Sequence, residues 1–238
     1  MRANNIYFRS STMVQRNVLF LVMMLFLIPS FSGCAHLCPS PIAQEVAYQP
    51  EESREHVYVI FVESPVDVGR WGGLPELTEY FQECGIRHTY YFNPYKEGIN
   101  GKNLAEFVRQ IHCDPEARVM LVGWSYGSVI SLKAIRDLAE SGTYIDTMVY
   151  LDSFSLRLTG GESQPDNVGK TVLIYRSHLN PPKGFTCPDT HYIDVLSHLN
   201  LPMAPHTVDV LLSEAACLAS SVSGSDVAQL PPDEVVEQ

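Results

Sequence analysis

Basic residues are scarce in this chain. Its 238 residues hold 16 Lys and Arg against 27 Asp and Glu, a formal net charge of −11, and no stretch gathers the cations into a cluster. An acidic chain without a basic patch argues against nucleic acid as a partner. Long apolar runs are also missing. The longest unbroken one, Val18 to Ile28, is too short to span a bilayer comfortably. The six cysteines, Cys34, Cys38, Cys84, Cys113, Cys187 and Cys217, have spacings that fit no zinc pattern. No internal repeat is visible, and the length suits one domain with a substantial core.

What is present begins at the N-terminus. Arg2, Arg9 and Arg16 form a basic leader ahead of the apolar run, the pattern of a signal peptide. Phe31-Ser32-Gly33-Cys34 follows, and small residues before a cysteine resemble the lipobox of bacterial lipoproteins. The resemblance implies cleavage after Gly33, lipid on Cys34, and an exported protein anchored to a membrane of the bacterial cell envelope. An ordinary secretory signal cut elsewhere, or an uncleaved anchor, are the alternatives. Export would allow disulfides, but the sequence does not pair the cysteines. Cys84, Cys113 and Cys217 read as small buried thiols.

Residues 35–54 are rich in Pro, Ser, Gln and Glu and read as a flexible tether. From residue 55 the pattern changes. Strands are expected at 56–62, 86–92, 118–122, 144–151, 171–175 and 192–196. Helices are expected at 72–84, 102–112, 128–138 and 205–218, where apolar residues recur at helical spacing. Strands alternating with helices predict an α/β domain over 55–218, a mostly parallel sheet with helices on both faces. Residues 219–238, with Gly, Ser, Pro and acids, read as a disordered tail.

The run Gly123-Trp124-Ser125-Tyr126-Gly127 carries the chemistry. It is a G-x-S-x-G sequence between an apolar strand and an amphipathic helix, the context of a nucleophile elbow. Side chains at the two glycines would collide with the neighbouring strand and helix. A serine needs a base within reach, and the base needs an orienting acid. Asp152 ends the next strand and is the candidate acid, with Asp189 and Asp194 as rivals. His198, between the last strand and the last helix, is the candidate base. His206 reads as a helix beginning, and His191 as lying at the wrong end of the sheet. For the oxyanion hole the backbone N–H of Tyr126 is one donor. The other comes from the loop after the first strand, where Pro65 has no N–H and Ser64 or Val66 must serve; the expectation leans to Val66. No HGGG segment is present, so this is not the lipase and esterase form of that loop.

At these residues the chain resembles the α/β-hydrolase superfamily, and within it the thioesterase domains of polyketide and nonribosomal peptide synthesis. The resemblance spans 120–153, MLVGWSYGSVISLKAIRDLAESGTYIDTMVYLDS. It implies Ser125 as nucleophile and Asp152 as acid, and matches His198 by position. Two features depart from that family: Ser128 stands where a second glycine is usual, and Phe154 to Lys170 is too short for a helical lid. The resulting expectation is a serine hydrolase with little or no lid, needing no metal or organic cofactor. It would cleave a small-molecule or lipid-like acyl ester or thioester. Acyl transfer, or an inactive hydrolase-fold lipoprotein used for binding or scaffolding, are the other readings. Oligomeric state is not legible.

Overall fold

The computed structural model describes residues 40–159, 165–182 and 189–227. The apolar run at 18–28, Cys34, Cys38, Cys187 and residues 228–238 lie outside the described residues. Six β-branched and aromatic runs pair as one all-parallel sheet: β1 (Val57–Val62), β2 (His88–Phe92), β3 (Arg118–Trp124), β4 (Ile145–Leu151), β5 (Val168–Arg176) and β6 (Thr190–Ile193). Their spatial order is β2-β1-β3-β4-β5-β6. Strands buried on both faces read as continuous apolar runs, as VYVIFV and RVMLVGW do.

Among the described residues, seven α-helices accompany the sheet: α1 (Pro41–Tyr48), α2 (Glu51–Glu55), α3 (Leu74–Glu83), α4 (Pro94–Glu97), α5 (Lys102–Ile111), α6 (Gly127–Glu140) and α7 (Pro205–Val227). One core layer joins Val59, Phe61, Met120 and Val122 of the sheet to Val46 of α1, Leu77 and Phe81 of α3, and Leu211 of α7. The other joins Ile60, Leu121 and Met148 to Leu104 and Val108 of α5 and Ile130 and Leu138 of α6. The fold is therefore the α/β-hydrolase-like architecture, helices on both faces of a parallel sheet.

Two boundaries differ from expectation. Residues 41–55 are not a tether. Ser40 caps α1, its side chain accepting from the Ile42 N–H, and Val46 is fully buried in the core. The Ser40 hydroxyl also bonds Asp209 of α7, and its N–H donates to the Tyr80 hydroxyl. The domain thus begins by Ser40. At the other end, α7 runs to Val227, and Ala219 and Val222 are buried, so 219–227 extends the helix. Cys84 is buried as expected, whereas Cys113, just past α5, and Cys217, on α7, are exposed; all three are free.

Candidate active site

The strand order reverses beside β1, which has β2 on one side and β3 on the other. In open α/β sheets the crevice beyond the carboxyl ends at such a reversal is where sites form. β3 ends at Trp124, and the chain turns sharply into α6. Ser125 makes that turn with φ of 53°, a left-handed conformation that a non-glycine residue adopts at a cost of order 1–3 kcal/mol. The strain is held from three sides. The Ser125 N–H donates to the Leu151 carbonyl at 2.9 Å, and its carbonyl accepts from the Ser155 hydroxyl at 2.8 Å. On the third side, α6 presses against the end of β1: a Cβ on Gly127 would lie 2.1 Å from the Val62 carbonyl oxygen. A Cβ on Gly123 would lie 2.6 Å from the Ser128 backbone, so both glycines are steric requirements, as expected. Ser128 is itself a tie: its hydroxyl donates to the Gly123 carbonyl at 2.6 Å and pairs with Ser153.

Asp152 sits just past β4, also in the left-handed region with φ of 43°, and is fully buried. His198 opens a single 3-10 turn, His198–Asn200, before α7. The structure brings these two together: the His198 Nδ1–H donates to Asp152 Oδ2 at 2.6 Å. Because an ionised carboxylate only accepts, that bond assigns Nδ1 the proton and leaves Nε2 as the acceptor end. The imidazole is also fixed by rings. Trp124, the residue before Ser125, stacks on it with centroids 4.9 Å apart and planes 24° apart. Phe154 meets it edge-on at 5.7 Å. Trp124 in turn occupies the space a side chain at Gly72 would need, since a Cβ there would fall 2.4 Å from the indole.

The rivals are placed elsewhere. Asp189 pairs with Lys170 at 3.2 Å, and Asp194 lies beside the Ser177 hydroxyl at 3.4 Å. His191 is within β6 rather than before it, and its ring meets that of His206, next to Pro205 at the start of α7, at 6.1 Å.

Two neighbours of the site, Arg176 and Glu63, were not legible in the sequence. Arg176, at the end of β5, donates from Nε to the same Asp152 Oδ2 at 2.6 Å, while Asp152 Oδ1 is buried without a partner. A buried carboxylate that holds both an imidazole and a guanidinium has its charge compensated twice on one oxygen. Glu63, directly after β1, is 1% exposed, and burial pushes its carboxyl up to about 7. The Tyr91 hydroxyl donates to its Oε2 at 2.6 Å, which opposes that rise, and Oε1 has no partner. Next to it Ser64 is fully buried with an unpartnered hydroxyl. Val66, expected as the oxyanion donor, lies one turn further out with its side chain 78% exposed, where the Asp67 N–H closes a turn onto the Ser64 carbonyl. Such positions depend on which strand ends meet in three dimensions; only the early loop position of Ser64 pointed to one of them. Among the described residues, no group of three or more His, Cys, Asp or Glu side chains could hold a metal ion.

No protein-family model matches the chain, and no curated protein matches it. Among solved structures it is similar to a Trichoderma reesei cutinase in complex with a C11Y4 phosphonate inhibitor. The two are 14% identical, the match covers 86% of this chain and 96% of that one, and the TM-score is 0.29. At that score no residue role carries across, and the α/β-hydrolase-like description rests on this chain's own strand order and its turn at Ser125.

Proposed function

We propose that this protein is a serine hydrolase that cleaves an ester or thioester through an acyl-enzyme. The observation that carries the reading is one arrangement. A serine held at positive φ follows directly on the tryptophan that stacks on His198, and that histidine gives its other nitrogen to a buried carboxylate. In this reading Ser125 Oγ attacks the carbonyl carbon while His198 Nε2 takes its proton. The imidazolium returns the proton to the leaving oxygen or sulfur as that bond breaks. Water, activated by the same nitrogen, then releases the acid and restores Ser125. Asp152 holds the tautomer and offsets the imidazolium charge. The oxyanion is met by the Tyr126 N–H and by an N–H of the loop after β1, from Ser64 or Val66. We place the domain at the bacterial cell envelope, tethered by lipid on Cys34, on the strength of the leader and the Phe31–Cys34 pattern.

A second reading is an inactive member of the fold that binds or scaffolds. The Arg176 contact favours it, because a guanidinium on Asp152 Oδ2 competes with the imidazole for the same charge.

Labelling with a fluorophosphonate probe separates the two. The parent chain is expected to label, and Ser125→Ala and His198→Ala to lose labelling while keeping the parent's far-UV spectrum. A folded parent that does not label would move the protein to the binding reading.

A further inference from the structure

Among the large hydrophobic side chains exposed on the described residues, six are not tyrosines: Val66, Val68, Trp71, Ile99, Phe154 and Leu196. All six lie beyond the carboxyl ends of the strands. The first three follow β1, Ile99 follows β2, Phe154 follows β4 and Leu196 follows β6. Leu196 is 95% exposed and Trp71 69% exposed, so neither is a core residue seen at its edge. Four loops far apart in sequence therefore carry the same kind of side chain to one edge of the sheet. The first two loops are joined, the Tyr95 hydroxyl donating to the Pro65 carbonyl. At the same edge lie Ser125, 3% exposed, and His198, whose ring Phe154 meets at 5.7 Å. Exposed apolar side chains scattered singly are ordinary, but a ring of them around a site marks an interaction surface.

We propose that this rim docks on a lipid surface, so that the site within it takes acyl esters held in a membrane or lipid aggregate rather than dissolved ones. The substrate half of the inference rests on the hydrolase reading; the docking half does not. Two further observations favour lipid over another protein. The first is charge. In a chain of net charge −11, the described loops on this edge expose Arg70, Lys96 and Arg157 against Glu97 and Asp194, while Asp67 is buried, accepting from the Trp71 and Gly72 N–H groups. These loops thus carry three cations against two acids, which suits an anionic membrane better than the chain's overall charge does. The second is reach. The chain enters the domain at Ser40, bonded to Asp209 in the first turns of α7, the helix that follows the His198 loop. Five residues, 35–39, separate Ser40 from Cys34, the residue that carries lipid in the proposed reading, a span of at most about 20 Å. A lipid on Cys34 therefore keeps the domain close to a membrane surface. One apolar anchor gives weak attachment and a second contact makes it firm. Trp71 has the amphipathic ring that settles at a headgroup boundary.

Trp71 also supplies the test. The only other tryptophan, Trp124, is 1% exposed, so the difference between the parent and Trp71→Phe isolates Trp71 emission. The full-length chain is reconstituted in mixed phosphatidylcholine and phosphatidylglycerol vesicles, with and without brominated acyl chains. Docking predicts a blue shift of Trp71 emission, strong quenching by the bromines and loss of access to acrylamide. Trp71 emission that stays red and acrylamide-accessible would overturn the proposal. Protection from acrylamide without bromine quenching would assign the rim to a protein contact and overturn it equally. Fluorophosphonate labelling in the same vesicles reads the hydrolase assignment by itself. Docking without labelling ends the ester reading but not the surface, and labelling without docking does the reverse.

Discussion

Gly72 shows how far from the chemistry a single atom can matter. Its Cβ position is filled by the Trp124 indole, and that indole is the flat support of His198. A methyl group at Gly72 must push the ring, and the ring must carry the imidazole with it. Overpacking of this kind typically costs about 1–3 kcal/mol. A displacement of about 1 Å at a catalytic group can cost about a hundredfold in rate. If the protein is the proposed ester hydrolase, Gly72→Ala should therefore lower kcat by about ten- to a hundredfold with a modest loss of stability. Steady-state kinetics beside a thermal melt checks this, and unchanged kcat would mean that the stack does not position the histidine. The pairing of His198 with Asp152 was readable because each sits at a place the chain order defines: before the last helix and at a strand end. Trp124 as a support, Arg176 on Asp152 and the buried Glu63 were not readable. Their roles arise where side chains from separate strands meet, and periodicity carries no record of that.

At the scale of elements, α1 was misread as tether because its composition is polar and it is short. An eight-residue helix is far below the length that holds together alone in water. It exists because it has somewhere to dock: Val46 enters the core, and Ser40 is bonded to α7 and Tyr80. Burial of one such side chain is worth about 1.5–3 kcal/mol. Val46→Ala should accordingly destabilise the domain by about 1–2 kcal/mol, lowering Tm by about 2–8 °C. An unchanged melt would return α1 to the status of a passive leader. The same logic explains the C-terminal error. Gly, Ser and acids in 219–227 spoke for disorder, but α7 continues through them because Ala219 and Val222 still face the core. The strands were read more closely, since a parallel sheet buried on both sides leaves an unbroken apolar signal. Only their ends moved, with β5 longer than expected at Val168–Arg176.

Over the whole molecule, titration should favour mildly acidic pH. The Glu63 carboxyl is raised from its ordinary 4.5 to about 7, so between those values the fold holds a proton that the unfolded chain releases. Stability falls as pH rises through that window. His56 works in the same direction. Its Nδ1 meets Asp114 at 2.7 Å and its Nε2 meets Glu116 at 3.1 Å, and the Asp114 bond raises its pKa above 6.5. Its contribution is complete below 6.5 and disappears as pH climbs through the raised value. Asp114, lowered below 3.8 by that partner against the pull of burial, sets the acid limit, its contribution fading as pH drops further. The stability maximum should fall between roughly pH 4 and 5. Chemical denaturation across pH 4–9 checks it. Glu63→Gln should flatten the alkaline decline by up to about 3 kcal/mol, and a decline of unaltered depth would remove Glu63 as its source.

The stacking of Trp124 on His198 has a further consequence. A proton taken up by the imidazole creates a cation 4.9 Å from the centre of an indole, inside the range at which the ring's electron-rich face attracts positive charge. Asp152 meets that cation from its edge, and Trp124 meets it from its face. In the proposed hydrolase, the tryptophan inside the G-x-S-x-G sequence is thus a second counter-charge for the protonated histidine, spread over a π cloud and placed there by the turn at Ser125.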